Sequence, residues 1–199
     1  MTKYRKTEAC KAIYCLEGNW YGPKDQTTVE PALTLLERNR YLQVPCLHFD
    51  IATRSELAFR LKAWAKPTFK THTILYLGFH GEAGKVCLGS KQEFSLSDLS
   101  NVLKDSCRHR VIHFGSCSTL EVDNARLKEF RRQTGALALF GYRSDVDWLH
   151  AIAFEVLLLG ELQYLSFTHA GMKGLDSRLN KAAATLRENL GFGMHYGRL

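Results

Sequence analysis

The hydrophobic positions of this chain fall into two kinds of stretch that alternate almost from end to end. Short unbroken apolar runs occupy 12–16, 46–51, 73–79, 111–114 and 136–140. Each reads as a strand covered on both faces, because a strand with one wet face would alternate polar and apolar positions. Between these runs apolar residues recur three or four apart, the period of one helix face. Val29, Leu33 and Leu36 mark the first such helix, with Pro31 in its opening turn, where a missing N–H is tolerated. Thr53-x-x-Glu56 reads as a capping box ahead of Leu57, Leu61 and Trp64, and Ser95-x-x-Asp98 as a similar start for Leu96, Leu99, Val102 and Leu103. Val122, Leu127 and Phe130 lie on a more polar helix closed near Gly135. Trp148, Ile152, Val156 and Leu159 predict an almost wholly apolar, buried helix. Leu175, Leu179, Ala183, Leu186 and Leu190 give a last amphipathic stripe.

Strands that alternate with helices long enough to reverse the chain predict an α/β fold, a three-layer sandwich whose mostly parallel, doubly wound sheet has helices on both faces. No linker, internal repeat or low-complexity segment interrupts the 199 residues, so a single domain over 1–199 is expected. The stretch from Gly81 to Phe94 departs from plain alternation. Gly84 and Gly89 flank a small strand-like piece over 85–88, which reads as a hairpin placed to wall a cleft at the strand ends.

Composition narrows the setting. The start of the chain is basic, but its apolar run (AIYCL) is too short for a signal-peptide core. Nothing approaches the roughly 18 to 20 apolar residues of a membrane span. A soluble, cytoplasmic protein is expected. The six cysteines lie mostly inside apolar runs of a chain without a secretion signal, which favours free thiols in a reducing compartment. There is no C-x-x-C pair, and Cys107-x-His109 with His113 falls short of zinc spacing, so neither a metal nor a cofactor is expected. The net charge of +7 raises the question of nucleic acid. The basic residues are spread, however, with only modest surpluses at Lys3, Arg5, Lys6 and Lys11 and at Arg178, Lys181, Arg187 and Arg198, a pattern that suits a solvated surface.

Two strand ends carry candidate chemistry: TILYLGFHG closes on His80-Gly81, and VIHFGSCST carries Cys117. If the two strands are parallel neighbours, their carboxyl ends coincide and an imidazole faces a thiol. A cysteine nucleophile acts as thiolate and needs a partner that takes its proton, a task histidine performs near neutral pH. The N–H groups of Gly81 and Cys117 are the candidate donors of an oxyanion hole. The competing assignment for Cys117 is that of a small packing residue. His72, His113 and His169 read as surface or satisfied core histidines, and Cys87 as packing.

These residues resemble the caspase-like cysteine peptidases, a group that includes caspases, metacaspases, gingipains, separases and bacterial CHAT domains. The segment FHGEAGKVCLGSKQEFSLSDLSNVL is similar to the CHAT His-Gly loop, hairpin and following helix, and HFGSCST to its Ser-Ala-Cys-x-Thr. The likeness covers about residues 70 to 160. Gly115-Ser116 stands for the usual Ser-Ala, Leu120 replaces a glycine, and Gly141-Tyr142-Arg143-Ser144-Asp145 diverges from the family's run after the fifth strand.

The resemblance implies a cysteine endopeptidase with His80 as general base and Cys117 as nucleophile. It also implies an acidic residue that binds a basic side chain before the scissile bond, for which Asp145 is the first choice and Asp147 the second. Either aspartate is equally a helix N-cap. Tyr142 and Trp148 line the substrate pocket or bury against the sheet, and the pattern leaves both open. The expected partners are a protein substrate and a separate activator or sensor, in bacterial defence or programmed death, with no membrane. The rivals are a noncatalytic caspase-like or flavodoxin-like interaction module and a basic nucleic-acid-binding domain.

Overall fold

The computed structural model describes residues 11–22, 24–88 and 92–197, so Cys10, Gly89, Arg198 and the basic positions Lys3, Arg5 and Lys6 lie outside the described residues. The elements run β1 (Ile13–Glu17), α1 (Glu30–Arg38), β2 (Cys46–Asp50), α2 (Arg54–Trp64), β3 (Ile74–Gly78), β4 (His80–Glu82), β5 (Lys85–Cys87) and β6 (Glu93–Ser95). They continue with α3 (Leu96–Val102), β7 (Val111–Gly115), α4 (Asn124–Thr134), β8 (Ala138–Tyr142), α5 (Trp148–Leu162), α6 (His169–Asn189) and β9 (Phe192–Tyr196). All five predicted strands are present and parallel, in a six-stranded sheet of order β2-β1-β3-β7-β8-β9, with β9 antiparallel at the edge. The hairpin forms a separate three-stranded antiparallel sheet, β4-β5-β6.

The unbroken apolar runs are explained by the two cores, since alternate side chains of each strand enter opposite layers. Ile13, Cys15, Ile74, Tyr76, Val111, Ala138 and Phe140 pack with Leu33, Phe154, Leu158, Met172 and Leu175 from α1, α5 and α6. Tyr14, Leu16, Leu75, Leu77, Ile112, Phe114 and Leu139 pack with Leu57, Leu61, Trp64, Leu99, Leu127 and Phe130 from α2, α3 and α4. The result is a three-layer α/β sandwich. Among the described residues no helix is long and apolar enough to cross a membrane.

Local signals act as the pattern predicts, with two differences. Ser95 and Asp98 form a reciprocal capping box. Thr53 accepts from the Glu56 N–H at 3.2 Å, but the Glu56 carboxylate accepts from Ala52, one residue before the cap. Gly135 closes α4 in the left-handed region at φ 77°. The stripe expected on α5 is rotated: Ala151, Phe154, Glu155, Leu158, Leu159 and Leu162 are buried, while Trp148, Ile152 and Val156 are half-buried. A helix that is apolar nearly all round has no stripe to read, so only packing chooses its inner face.

The strand order reverses between β1, which leads outward to β2, and β3, which leads to β7. Open α/β sheets form a crevice at the carboxyl ends beside such a switch point. Trp20 follows β1 there, His80 follows β3, and Cys117 follows β7.

Candidate active site

His80 opens β4 and projects from the exposed face of the hairpin, while Gly81 faces inward. A Cβ on Gly81 would stand 2.9 Å from Ser116 Cβ and closer still to the Cys117 carbonyl oxygen and Thr119 Oγ1. Glycine therefore lets the His80 strand lie directly on the turn that carries Cys117. That turn is stapled from several sides. Ser118 N–H donates to Ser144 O at 3.0 Å and Leu120 N–H to Tyr142 O at 2.9 Å, which ties it to the end of β8. Gly84 N–H donates to Thr119 O at 3.2 Å, and Thr119 Oγ1 to Lys85 O at 3.3 Å, which ties it to the hairpin. Ser118 sits at φ 51°, a left-handed conformation uncommon for a residue with a side chain and concentrated at functional turns.

His80 and Cys117 line one cavity of about 90 Å³, together with Trp20, Tyr76, Tyr142, Trp148 and Glu155. The imidazole meets the Trp20 ring edge-on at 5.4 Å and the Tyr21 ring at 5.8 Å, and its Nε2 donates to the Trp20 carbonyl. A carbonyl only accepts, so Nε2 carries the proton and Nδ1 is the basic nitrogen. Cys87 lies opposite His80 across the hairpin, which offers a second thiol. Burial first, and then the Glu82 and Glu93 charges, push its pKa up, so Cys87 is held as thiol. The Cys117 N–H has no partner among the described residues. Leu88 N–H donates to Gln92 O at 2.8 Å, so Val86 turns its backbone toward β6 and Gly81, opposite Val86, keeps its N–H outside the hairpin ladder. Both proposed oxyanion donors are thus unspent.

The loop that supplies the Trp20 carbonyl is held by a buried carboxylate. Glu17 Oε1 accepts from Trp20 Nε1 and from Val29 N–H at 2.9 Å, and Oε2 from Thr28 Oγ1 at 2.7 Å and His48 Nε2 at 2.6 Å. Burial works to raise the Glu17 pKa, but these hydrogen bonds outweigh it and the net shift is down. Burial works to lower that of His48, and the Glu17 hydrogen bond reverses it, so the net shift is up. The carboxylate's contribution to stability is complete above the ordinary glutamate pKa and lost as pH falls through its lowered value. The imidazolium's is complete below about 6.5 and lost as pH rises through its raised value. The stability difference between the wild type and His48→Gln is therefore expected to peak near about pH 5 to 6 and shrink above that, as read by urea midpoints. A difference that grows with pH would show that the pair does not act as an ion pair.

A second buried carboxylate, Glu155 on α5, was not among the predicted site residues. Its Oε1 accepts from Tyr142 Oη at 2.8 Å and His113 Nε2 at 2.9 Å, and its Oε2 accepts from Tyr76 Oη. Burial first, then the Glu155 charge, raise the Tyr76 and Tyr142 phenols well above the usual range, which keeps both as O–H donors. Gly115 belongs to the same arrangement, because a Cβ there would stand 2.7 Å from Tyr76 Oη. That contact accounts for glycine at this position. The readable signal was a charged residue inside an apolar helix, a type almost never buried without a partner.

The remaining predicted residues divide. Tyr142 is fully buried and lines the cavity, and Trp148 lines it with an Nε1 that has no partner among the described residues. Asp145 is exposed and accepts from Ser118 Oγ at 3.1 Å, bracing the Cys117 turn. Asp147 is the N-cap of α5 and accepts from His150 N–H at 2.9 Å. Neither aspartate lines the cavity. His113 is a core residue, whereas His169 starts α6 beside Tyr196. Among the described residues two clusters hold metal-ligand atoms close together, Glu17 with His48 and Asp50, and Glu82 with Cys87 and Glu93. In the first, Glu17 already has its four donors. In the second, Lys85 Nζ stands 2.9 Å from Glu82 and 2.6 Å from Glu93 and already bridges the two carboxylates.

Among known families, the model of one described as a family of unknown function (DUF6642) matches residues 10–196. No curated protein matches the sequence.

Proposed function

The chain belongs to the DUF6642 family, a family of unknown function, and for it we propose a cysteine endopeptidase that cleaves a protein partner through Cys117 and His80. The observation that carries the reading is that these two side chains line one cavity, brought there by a glycine that no other residue can replace without moving the strand. In the proposed reaction the Cys117 thiol gives its proton to His80 Nδ1 and the thiolate attacks the scissile carbonyl carbon. The Gly81 and Cys117 N–H groups receive the oxyanion. The imidazolium then protonates the departing amine, the C–N bond breaks, and an acyl-enzyme remains on sulfur. Water, deprotonated by the same Nδ1, releases the acid and restores the thiol. The Trp20 carbonyl holds the tautomer throughout. The cysteines Cys15, Cys87, Cys107 and Cys117 are free, in keeping with action in a reducing compartment such as the cytoplasm.

Alkylation tests this assignment directly. Iodoacetamide at neutral pH is expected to modify Cys117 well ahead of Cys46 and Cys87, which are similarly accessible, as read by peptide mass mapping. His80→Ala should slow Cys117 to the rate of those two. Equal rates in the wild type would leave Cys117 a packing residue and favour the interaction-module reading.

A further inference from the structure

The cavity beneath Cys117 is apolar on its sides, with Val29, Val146, Ala151 and Ile152, and carries one carboxylate, Glu155. Resting on the peptidase reading, we propose that this cavity receives the side chain that precedes the scissile bond, and that Glu155 with the Tyr76 and Tyr142 hydroxyls selects lysine over arginine there.

The selection follows from which lone pairs are left. A carboxylate offers about four acceptor positions. Oε1 spends both of its own on Tyr142 and His113, and Oε2 spends one on Tyr76. One position on Oε2 remains, and each tyrosine oxygen, already a donor to Glu155, still accepts. Three neighbouring oxygens with spare lone pairs match the three N–H groups of an ammonium, a compact point charge on a flexible stem. A guanidinium fork requires both oxygens of one carboxylate for its bidentate pairing, and Oε1 is full. Its remaining N–H groups would face apolar walls unpaired, each with its hydration lost and no bond in return. An unbranched alkyl stem suits a narrow cavity of about 90 Å³ flanked by Trp20 and Trp148. A purely apolar side chain would leave the Glu155 charge without a counter-charge or an added hydrogen bond, and an acidic one would be repelled. Asp145 and Asp147, outside the cavity, have no part in this choice.

The test uses the full chain with tripeptide aminocoumarin substrates and matching acyloxymethyl ketones, identical except for lysine, arginine, norleucine or aspartate next to the reactive carbonyl. The wild type is expected to favour lysine over arginine at least about 10-fold, and over norleucine about 100-fold, in kcat/KM. The lysine ketone should add its mass to Cys117 fastest. Glu155→Gln should bring lysine and norleucine within a few fold of each other. The wild-type series decides by itself if that variant does not fold. Turnover with arginine equal to or above lysine, or with norleucine or aspartate preferred, overturns the inference while leaving the peptidase intact. No turnover and no mass added at Cys117 with any member overturns the peptidase reading and this inference with it.

Discussion

Cys117→Ala is expected to lower peptide hydrolysis by about 10⁴-fold or more while the circular dichroism spectrum and melting temperature stay close to wild type. The sulfur is half-buried and its one hydrogen-bond contact among the described residues, to Val146 O, is long at 4.0 Å, so little packing is lost with it. The whole nucleophilic route is lost, because among the described residues no other cysteine lines the cavity. Cys15 and Cys107 are buried, with pKa values pushed up by desolvation, that of Cys107 to about 12. Cys87 is opposed by burial and two carboxylates. His80→Ala should cost about 10² to 10⁴-fold on the same substrates, the usual range for a general base. The double variant should be no worse than Cys117→Ala, since base and nucleophile act as one unit. Residual activity in Cys117→Ala above a few per cent would remove the cysteine from the mechanism.

Gly81→Ala tests the joint between the two strand ends. Its methyl would overlap the Cys117 carbonyl oxygen and Thr119 Oγ1 and crowd Ser116 Cβ at 2.9 Å. The turn cannot retreat, because Ser118, Leu120 and Thr119 tie it to β8 and the hairpin. The hairpin must move instead, taking His80 off the Trp20 carbonyl. The expected cost is about 2 to 3 kcal/mol of stability, as for overpacking a fitted contact. Activity should fall about 100-fold even at temperatures where the variant is folded, since a displacement of about 1 Å at a reacting group has that effect. An unchanged melting temperature with full activity would mean that the two strand ends are not packed as described.

The three candidate carboxylates, Asp145, Asp147 and Glu155, reach their places by different means. Asp145 and Asp147 follow the fifth strand, and their positions follow from local chemistry: one braces a turn and the other caps a helix. Glu155 stands further along, inside a helix whose composition hides its inner face. It reaches the cavity because α5 packs against Tyr76 of β3 and Tyr142 of β8, residues far apart in the chain. Edge strand β9 escaped for a related reason. FGMHY has no unbroken apolar run, is mostly half-buried, and follows a glycine, so its pairing with β8 comes from the sheet and not from its own pattern.

The sequence by itself determined the layers, the order of strands and helices, most helix starts, and the convergence of His80 and Cys117 on one crevice, whose cavity both line. All of these rest on short-range periodicity and on the rule that parallel neighbouring strands share a carboxyl end. Only the tertiary structure decided which loop carbonyl orients His80, which face of α5 turns inward, and which carboxylate lies beneath the thiol. Those depend on rotations of whole elements about their axes, set by packing between segments up to about 80 residues apart, such as Tyr76 and Glu155 at a separation of 79. No local pattern carries that information.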